Sequence, residues 1–200
     1  MAFDRALVNF FYAHPVGHAV EALHYCLGHY AAVPEREIAV VLNAASPVVA
    51  RLRSLLMPGR PFLYHHGETP ARRRAIAEAL AQLPLHGGIV VTTDILQERA
   101  RARLLTYLLP RLEHMEHAGR VVLESRARSD KHDVRTRDRL RRSRSLSAKL
   151  WMDHETKTAE LMTWVADFVV SSYMAAQHHG EQGPWSIISD AHVIEIVTKC

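Results

Sequence analysis

Short apolar runs alternate with amphipathic stretches along this chain, and no other feature narrows its fold as much. Leu7 to Tyr12 predicts a strand. After the turn His14-Pro15-Val16-Gly17, the residues Val16, Val20, Leu23, Leu27 and Tyr30 recur at steps of four, three, four and three, which predicts a helix that Pro34 ends. Ile38 to Leu42 is a continuous apolar run of the kind buried on both faces of a sheet. Ser46-Pro47 has the form of an N-cap followed by Pro at the first helical position and predicts a helix through Leu56, broken at Met57-Pro58-Gly59. Phe62 to His65 predicts a short strand, and Thr69-Pro70 caps a helix from Ala71 to Leu83. Ile89 to Thr93 reads as a strand, Gln97 to His117 as a long helix and Arg120 to Glu124 as a strand. A basic helix follows, then a strand at Ala148 to Met152, a helix from Thr158 to Gln177, and two strands at Trp185 to Ile188 and Val193 to Val197. The alternation predicts an α/β layer fold with a mixed or largely parallel sheet.

Two hundred residues make one domain, or one domain with a short appendage, and the one candidate boundary lies near Asn43 to Pro58. A hydrophobic fraction of 48% excludes a disordered or collagen-like chain. No apolar run approaches the roughly 20 residues of a membrane span, no secretory signal opens the chain, and Cys26 with Cys200 cannot form a disulfide framework, so a cytoplasmic protein is expected.

The net charge of +4 is unevenly placed. Residues 120–149 hold eleven Arg or Lys against four acids, a net of +7, and the remainder of the chain nets −3. RARSDKHDVRTRDRLRRSRS could neutralise several phosphates of RNA or DNA, with affinity falling as salt rises. The alternative is a solvated helix laced by the i,i+4 pairs Asp133–Arg137 and Asp138–Arg142.

Two carboxylates occupy unusual places. In ELMTWVADFVVSSYMAAQ, Asp167 lies at the border of an apolar face marked by Leu161, Trp164, Val165, Phe168 and Ser172. Such an acid needs an arginine, a backbone N–H group or a metal ion to offset its desolvation. Glu124 ends the apolar strand Arg120-Val121-Val122-Leu123, and ligands of open α/β sheets bind beyond the carboxyl ends of strands. Converging carboxylates suit Mg²⁺ or Mn²⁺, with Asp130 or Asp133 as a third ligand beside Glu124 and Asp167. A metal so held can activate water for phosphodiester hydrolysis, while Arg126, Arg128, Arg135, Arg139 and Arg142 hold the nucleic-acid backbone. The simpler alternative pairs Glu124 with Arg126 or Arg128.

The succession LLMPGRP, HHGETPARRR, VVLESRARSDKHD and TWVADFVV resembles an actinobacterial branch of the domain-of-unknown-function 3800 family, over roughly Val48 to Cys200. The resemblance implies an RNase H-like mixed sheet flanked by helices, and metal-dependent nuclease activity. It rests on Glu124-Ser125-Arg126 at a strand end, Asp130 and Asp133 after it, and Trp164 with Asp167 on the late helix. The family usually opens with a strand bearing an Asp-Glu pair. Here Leu-Val-Asn-Phe-Phe-Tyr-Ala-His carries no acid, Asp4 precedes it, and only Asn9 or His14 could substitute. The departure makes a catalytically inactive nucleic-acid-binding or interaction domain the first alternative.

Residues 1–47 predict an atypical N-terminal βαβ unit similar to the opening of nucleotide-sugar glycosyltransferases, and residues 48–200 the RNase H-like part of what is expected to be one compact domain. A glycosyltransferase-like nucleotide-sugar binder is the second alternative, although Gly17 and Gly28 form no G-x-G-x-x-G pattern. Among the fourteen histidines, His114 with His117, His65-His66 and His178-His179 lack the spacing of a zinc site. His65 or His66 with Glu68, and His154 as a donor to phosphate, remain candidates near the site.

Overall fold

A computed structural model describes residues 5–13, 20–28, 47–83, 85–93, 97–114, 118–192 and 194–198. Six strands form one mixed sheet: β1 (Arg5–Ala13), β2 (Val20–Gly28), β3 (Leu85–Thr93), β4 (Arg120–Glu124), β5 (Trp151–Glu155) and β6 (Ile194–Thr198), in the order β5-β4-β1-β2-β3-β6. β1, β2 and β3 run antiparallel to their neighbours in turn, while β4 joins β1, β5 joins β4 and β6 joins β3 in parallel. The helices are α1 (Pro47–Ser54), α2 (Pro70–Ala81), α3 (Gln97–His114), α4 (Asp130–Arg142), α5 (Met162–His179) and α6 (Gln182–Ala191).

The helices cover both faces, which is why the strand runs are apolar without alternation. Val122 of β4 and Ile89 and Val91 of β3 pack with Leu52, Ile76, Leu80, Trp164, Val165, Phe168 and Ile188, so α1, α2, α5 and α6 lie on that side. Val121 and Leu123, with Val90 and Met152, face Leu104, Leu105, Leu108, Leu109 and Leu140 of α3 and α4 on the other. Thr69 caps α2 as the sequence predicts, its hydroxyl accepting from the Arg72 N–H at 3.3 Å. Gly180 closes α5 at φ 69°, a left-handed conformation that a Cβ would strain, and lets α6 fold back so that Trp185 meets Tyr173 edge-on at 5.1 Å.

Four local expectations are corrected. The helix read over Val16 to Tyr30 is replaced at Val20–Gly28 by β2, because both edges of this segment pair, with β1 on one side and β3 on the other. Among the described residues β1 is thus followed by an antiparallel strand at Val20–Gly28, where a βα step places a helix; Ile38 to Leu42, His14 and Gly17 lie outside the described residues. Phe62 to His65 is irregular and leads into a 3₁₀ turn at His65–Gly67. Trp185 to Ile188 lies in α6, where Pro184 and Ile188 are buried. The strand placed at Ala148 to Met152 starts three residues later, because the preceding loop is pinned elsewhere: the Ser147 N–H donates to Glu113 at 2.9 Å, and the Arg141 guanidinium to the carbonyls of Ser147 and Leu150. The shift brings His154 and Glu155 to the carboxyl end of β5. No helix of the described residues is long and apolar enough to cross a membrane.

Candidate functional site

Glu124 and Asp167 converge. Glu124 closes β4 and, two residues beyond Val122, stands on the α5 side of the sheet. Asp167 is 8% exposed on α5. A third residue joins them: Lys157, two residues past β5, places its Nζ 3.6 Å from Oε2 of Glu124 and 3.2 Å from Oδ2 of Asp167. The same ammonium lies 5.5 Å from the centre of the Phe62 ring and 5.6 Å from that of Tyr64. The backbone of Lys157 is fixed from α5, because the Trp164 indole N–H donates to its carbonyl at 2.6 Å. Trp164 and Asp167, one turn apart, thus hold the two ends of one lysine. Burial pushes the Asp167 carboxyl above its ordinary pKa, and the charges of Lys157 and His66 oppose that push. Glu155 is the parallel register partner of Glu124, and Asn9 follows Val8, the partner of Leu123.

Asp130 and Asp133 belong to a separate cluster on the α3–α4 side. Asp133 accepts both arms of the Arg101 guanidinium at 2.8 Å each, and Nε2 of His154 lies 3.0 Å from Oδ2 of Asp133. Burial acts to raise the Asp133 pKa, but the hydrogen bonds from His154 and Arg101 outweigh it and hold the carboxyl at about 2. Asp130 accepts from the Ser125 hydroxyl and the Arg126 N–H, both at 2.6 Å, and so shapes the turn leaving β4. Asp130, Asp133 and His154 bring ligand atoms within 4.8 Å of one another, the donor types of a divalent-ion site. Arg101 already neutralises Asp133 through both oxygens, so an ion there would have to share them.

The arginines divide as well. Arg126 points inward, 3.4 Å from Glu98 and 3.9 Å from Asp133. Arg128, Arg135, Arg139 and Arg142 are exposed, and with Lys131 the last three form one stripe along α4 at steps of four, four and three. Arg99 and Arg103 are exposed on neighbouring α3, and Arg139 crosses to the Thr106 hydroxyl at 3.0 Å. The i,i+4 pairs weighed from sequence are replaced: Asp133 turns to Arg101, and Asp138 pairs with adjacent Arg137 at 2.8 Å. The stripe and the Glu124–Asp167 pair lie on opposite faces of the sheet, with Arg128 at the end nearer Glu124.

Histidines play varied parts. His65 is 2% exposed, packs edge-on against Phe168 at 5.2 Å, and neither ring nitrogen has a hydrogen-bond partner. Desolvation, with the charges of Arg73 and His66, lowers its pKa to about 3. Glu68 pairs with Arg72 at 3.6 Å, His114 lies beside Glu113 at 3.5 Å, and His178 and His179 are exposed at the end of α5. His117 and Cys200 lie outside the described residues.

Sequence reasoning singled out neither Lys157 nor Arg101. Arg101 left a trace: it precedes Leu104, Leu105 and Leu108 on the same apolar stripe of α3. Lys157 left only the Trp164–Asp167 spacing of the residues that hold it.

No family model and no curated protein matches the chain. Among solved structures, a chain of the complex of PCNA and RNase HII from Archaeoglobus fulgidus is similar at a TM-score of 0.45 and 10% identity, covering 90% of this chain and 77% of that one. A likeness that weak assigns neither fold family nor activity.

Proposed function

We propose that this protein binds nucleic acid and hydrolyses phosphodiester bonds with a divalent cation held by Glu124 and Asp167. The observation that carries the reading is the convergence of these two carboxylates, 43 positions apart in the sequence, on one lysine ammonium at the carboxyl end of β4. The donor set fits Mg²⁺ or Mn²⁺, which prefer carboxylate oxygens, and Glu155 is the register partner of Glu124 on β5. When bound, the cation supplies an activated water and neutralises charge on the phosphate. The chain's own part is to hold the two acids together, Asp167 in a site dry enough to favour a cation. The strand order supports an RNase H-like frame: an antiparallel β1-β2-β3 meander with β4 and β5 added in parallel beside β1. Exposed Arg128, Lys131, Arg135, Arg139 and Arg142 offer a backbone-binding surface on the face opposite the pair, so a strand held there has to pass around the β5 edge or the carboxyl end of the sheet to reach Glu124 and Asp167.

The test is Mn²⁺- or Mg²⁺-dependent cleavage of a mixed set of RNA and DNA substrates by wild type, Glu124→Gln and Asp167→Asn. Loss of cleavage in both variants is expected. Equal background in all three proteins leaves the second reading, a non-catalytic nucleic-acid-binding protein, which the presence of Lys157 between the two acids favours.

A further inference from the structure

We infer that the ammonium of Lys157 is the resident counter-ion of the Glu124–Asp167 pair, and that a divalent ion gains the pair only by displacing it. The inference rests on the reading of these acids as metal ligands and names what regulates their site. One ammonium within 3.2–3.6 Å of both carboxylates offsets one of their two negative charges and already occupies the place between them. An ammonium and a dication competing for the same oxygens repel each other, strongly so where water is scarce, and Lys157 is 13% exposed.

Lys157 is also built to exchange. Its backbone is anchored by the Trp164 indole, so the side chain is the moving part. On its other flank lie the rings of Phe62 and Tyr64, whose faces attract an ammonium and provide a short retreat. Lys157 therefore weakens metal binding at the pair and confines it to conditions under which the side chain withdraws. His66, whose charge also acts on Asp167, Glu155, the register neighbour of Glu124, and the Tyr64 hydroxyl are left intact in the test.

Mn²⁺ titration followed by the electron paramagnetic resonance of the free ion measures affinity independently of turnover. Lys157→Met keeps the apolar stem and removes the charge, and is expected to bind Mn²⁺ at least about tenfold more tightly than wild type, a factor worth about 1.4 kcal/mol. Lys157→Arg keeps the charge and is expected to stay near wild type. The gain should vanish in Lys157→Met with Asp167→Asn, which places the ion at this pair rather than at Asp130, Asp133 and His154. Thermal melting checks that each variant folds; Lys157→Gln carries the same expectation should the Met variant not. Equal or weaker binding by the neutral variants, with measurable binding by wild type, overturns the inference; the metal site stands if Asp167→Asn weakens that binding and falls if it does not. No Mn²⁺ binding by wild type or any variant overturns the metal site itself, and the inference with it.

Discussion

Arg101 of α3 grips Asp133 of α4 with both arms of its guanidinium, and each side chain is 2% exposed. The bond ties the two helices of one face together and sets the first turn of α4, the helix that displays the basic stripe. Removing Arg101 leaves the Asp133 carboxylate in the interior with only His154 at 3.0 Å and Arg126 at 3.9 Å to offset it. Arg101→Leu is expected to cost about 3 kcal/mol in urea denaturation, the low end for a broken buried pair because His154 stays, whereas Arg101→Leu with Asp133→Leu should recover part of the loss. Equal destabilisation by the single and double variants would show that packing, not the stranded charge, is what Arg101 provides.

Acid should weaken the fold in two separable windows. His65 titrates near 6.5 in the unfolded chain but at about 3 in the fold, so the unfolded state binds its proton first. Its contribution is complete above pH 6.5 and declines as pH falls toward 3, by about 2 kcal/mol at pH 5. Asp133 behaves as a carboxylate of depressed pKa, its contribution being present above 3.8 and lost as pH falls through about 2. Denaturation midpoints of wild type and His65→Phe from pH 7 to 4 check the first window. The variant should be the flatter of the two; parallel curves would remove His65 as the cause.

Fluorescence anisotropy with labelled RNA and duplex DNA tests the α4 stripe. Arg135→Ala, Arg139→Ala and Arg142→Ala together should weaken binding to all sequences alike. The slope of log affinity against log salt should shrink by up to about 3 for duplex DNA if each arginine meets one phosphate. An unchanged slope would remove the stripe as the contact surface.

Three elements were written plainly in the sequence. The strand Arg120–Glu124, the capped helix after Thr69-Pro70 and the basic helix all follow from local pattern, where apolar period and capping chemistry agree. Val20–Gly28 was not legible: its apolar spacing fits a helix, and only pairing along both edges makes it a strand. At the site, Glu124 and Asp167 could be chosen as acids in apolar settings, because desolvation is a local property. Their companion Lys157 could not, because a lysine in a loop resembles any solvated lysine until the fold brings α5 beside it. Asp130 and Asp133 follow Glu124 closely, yet the turn after β4 carries them to the opposite face. Closeness along the chain did not translate into a shared site.

The position of β1 makes the chain's opening residues a keystone. β4 and β5 are tied to the sheet through β1 alone, while β2, β3 and β6 stand on its other side. A chain lacking Arg5–Ala13 would lose the seam between a two-stranded and a three-stranded piece, and Glu124 would be stranded on the smaller one. The segment that brings no acid to the site is thereby the one that decides whether β4 has a sheet to belong to, so mutations that erode β1 should behave as whole-molecule lesions.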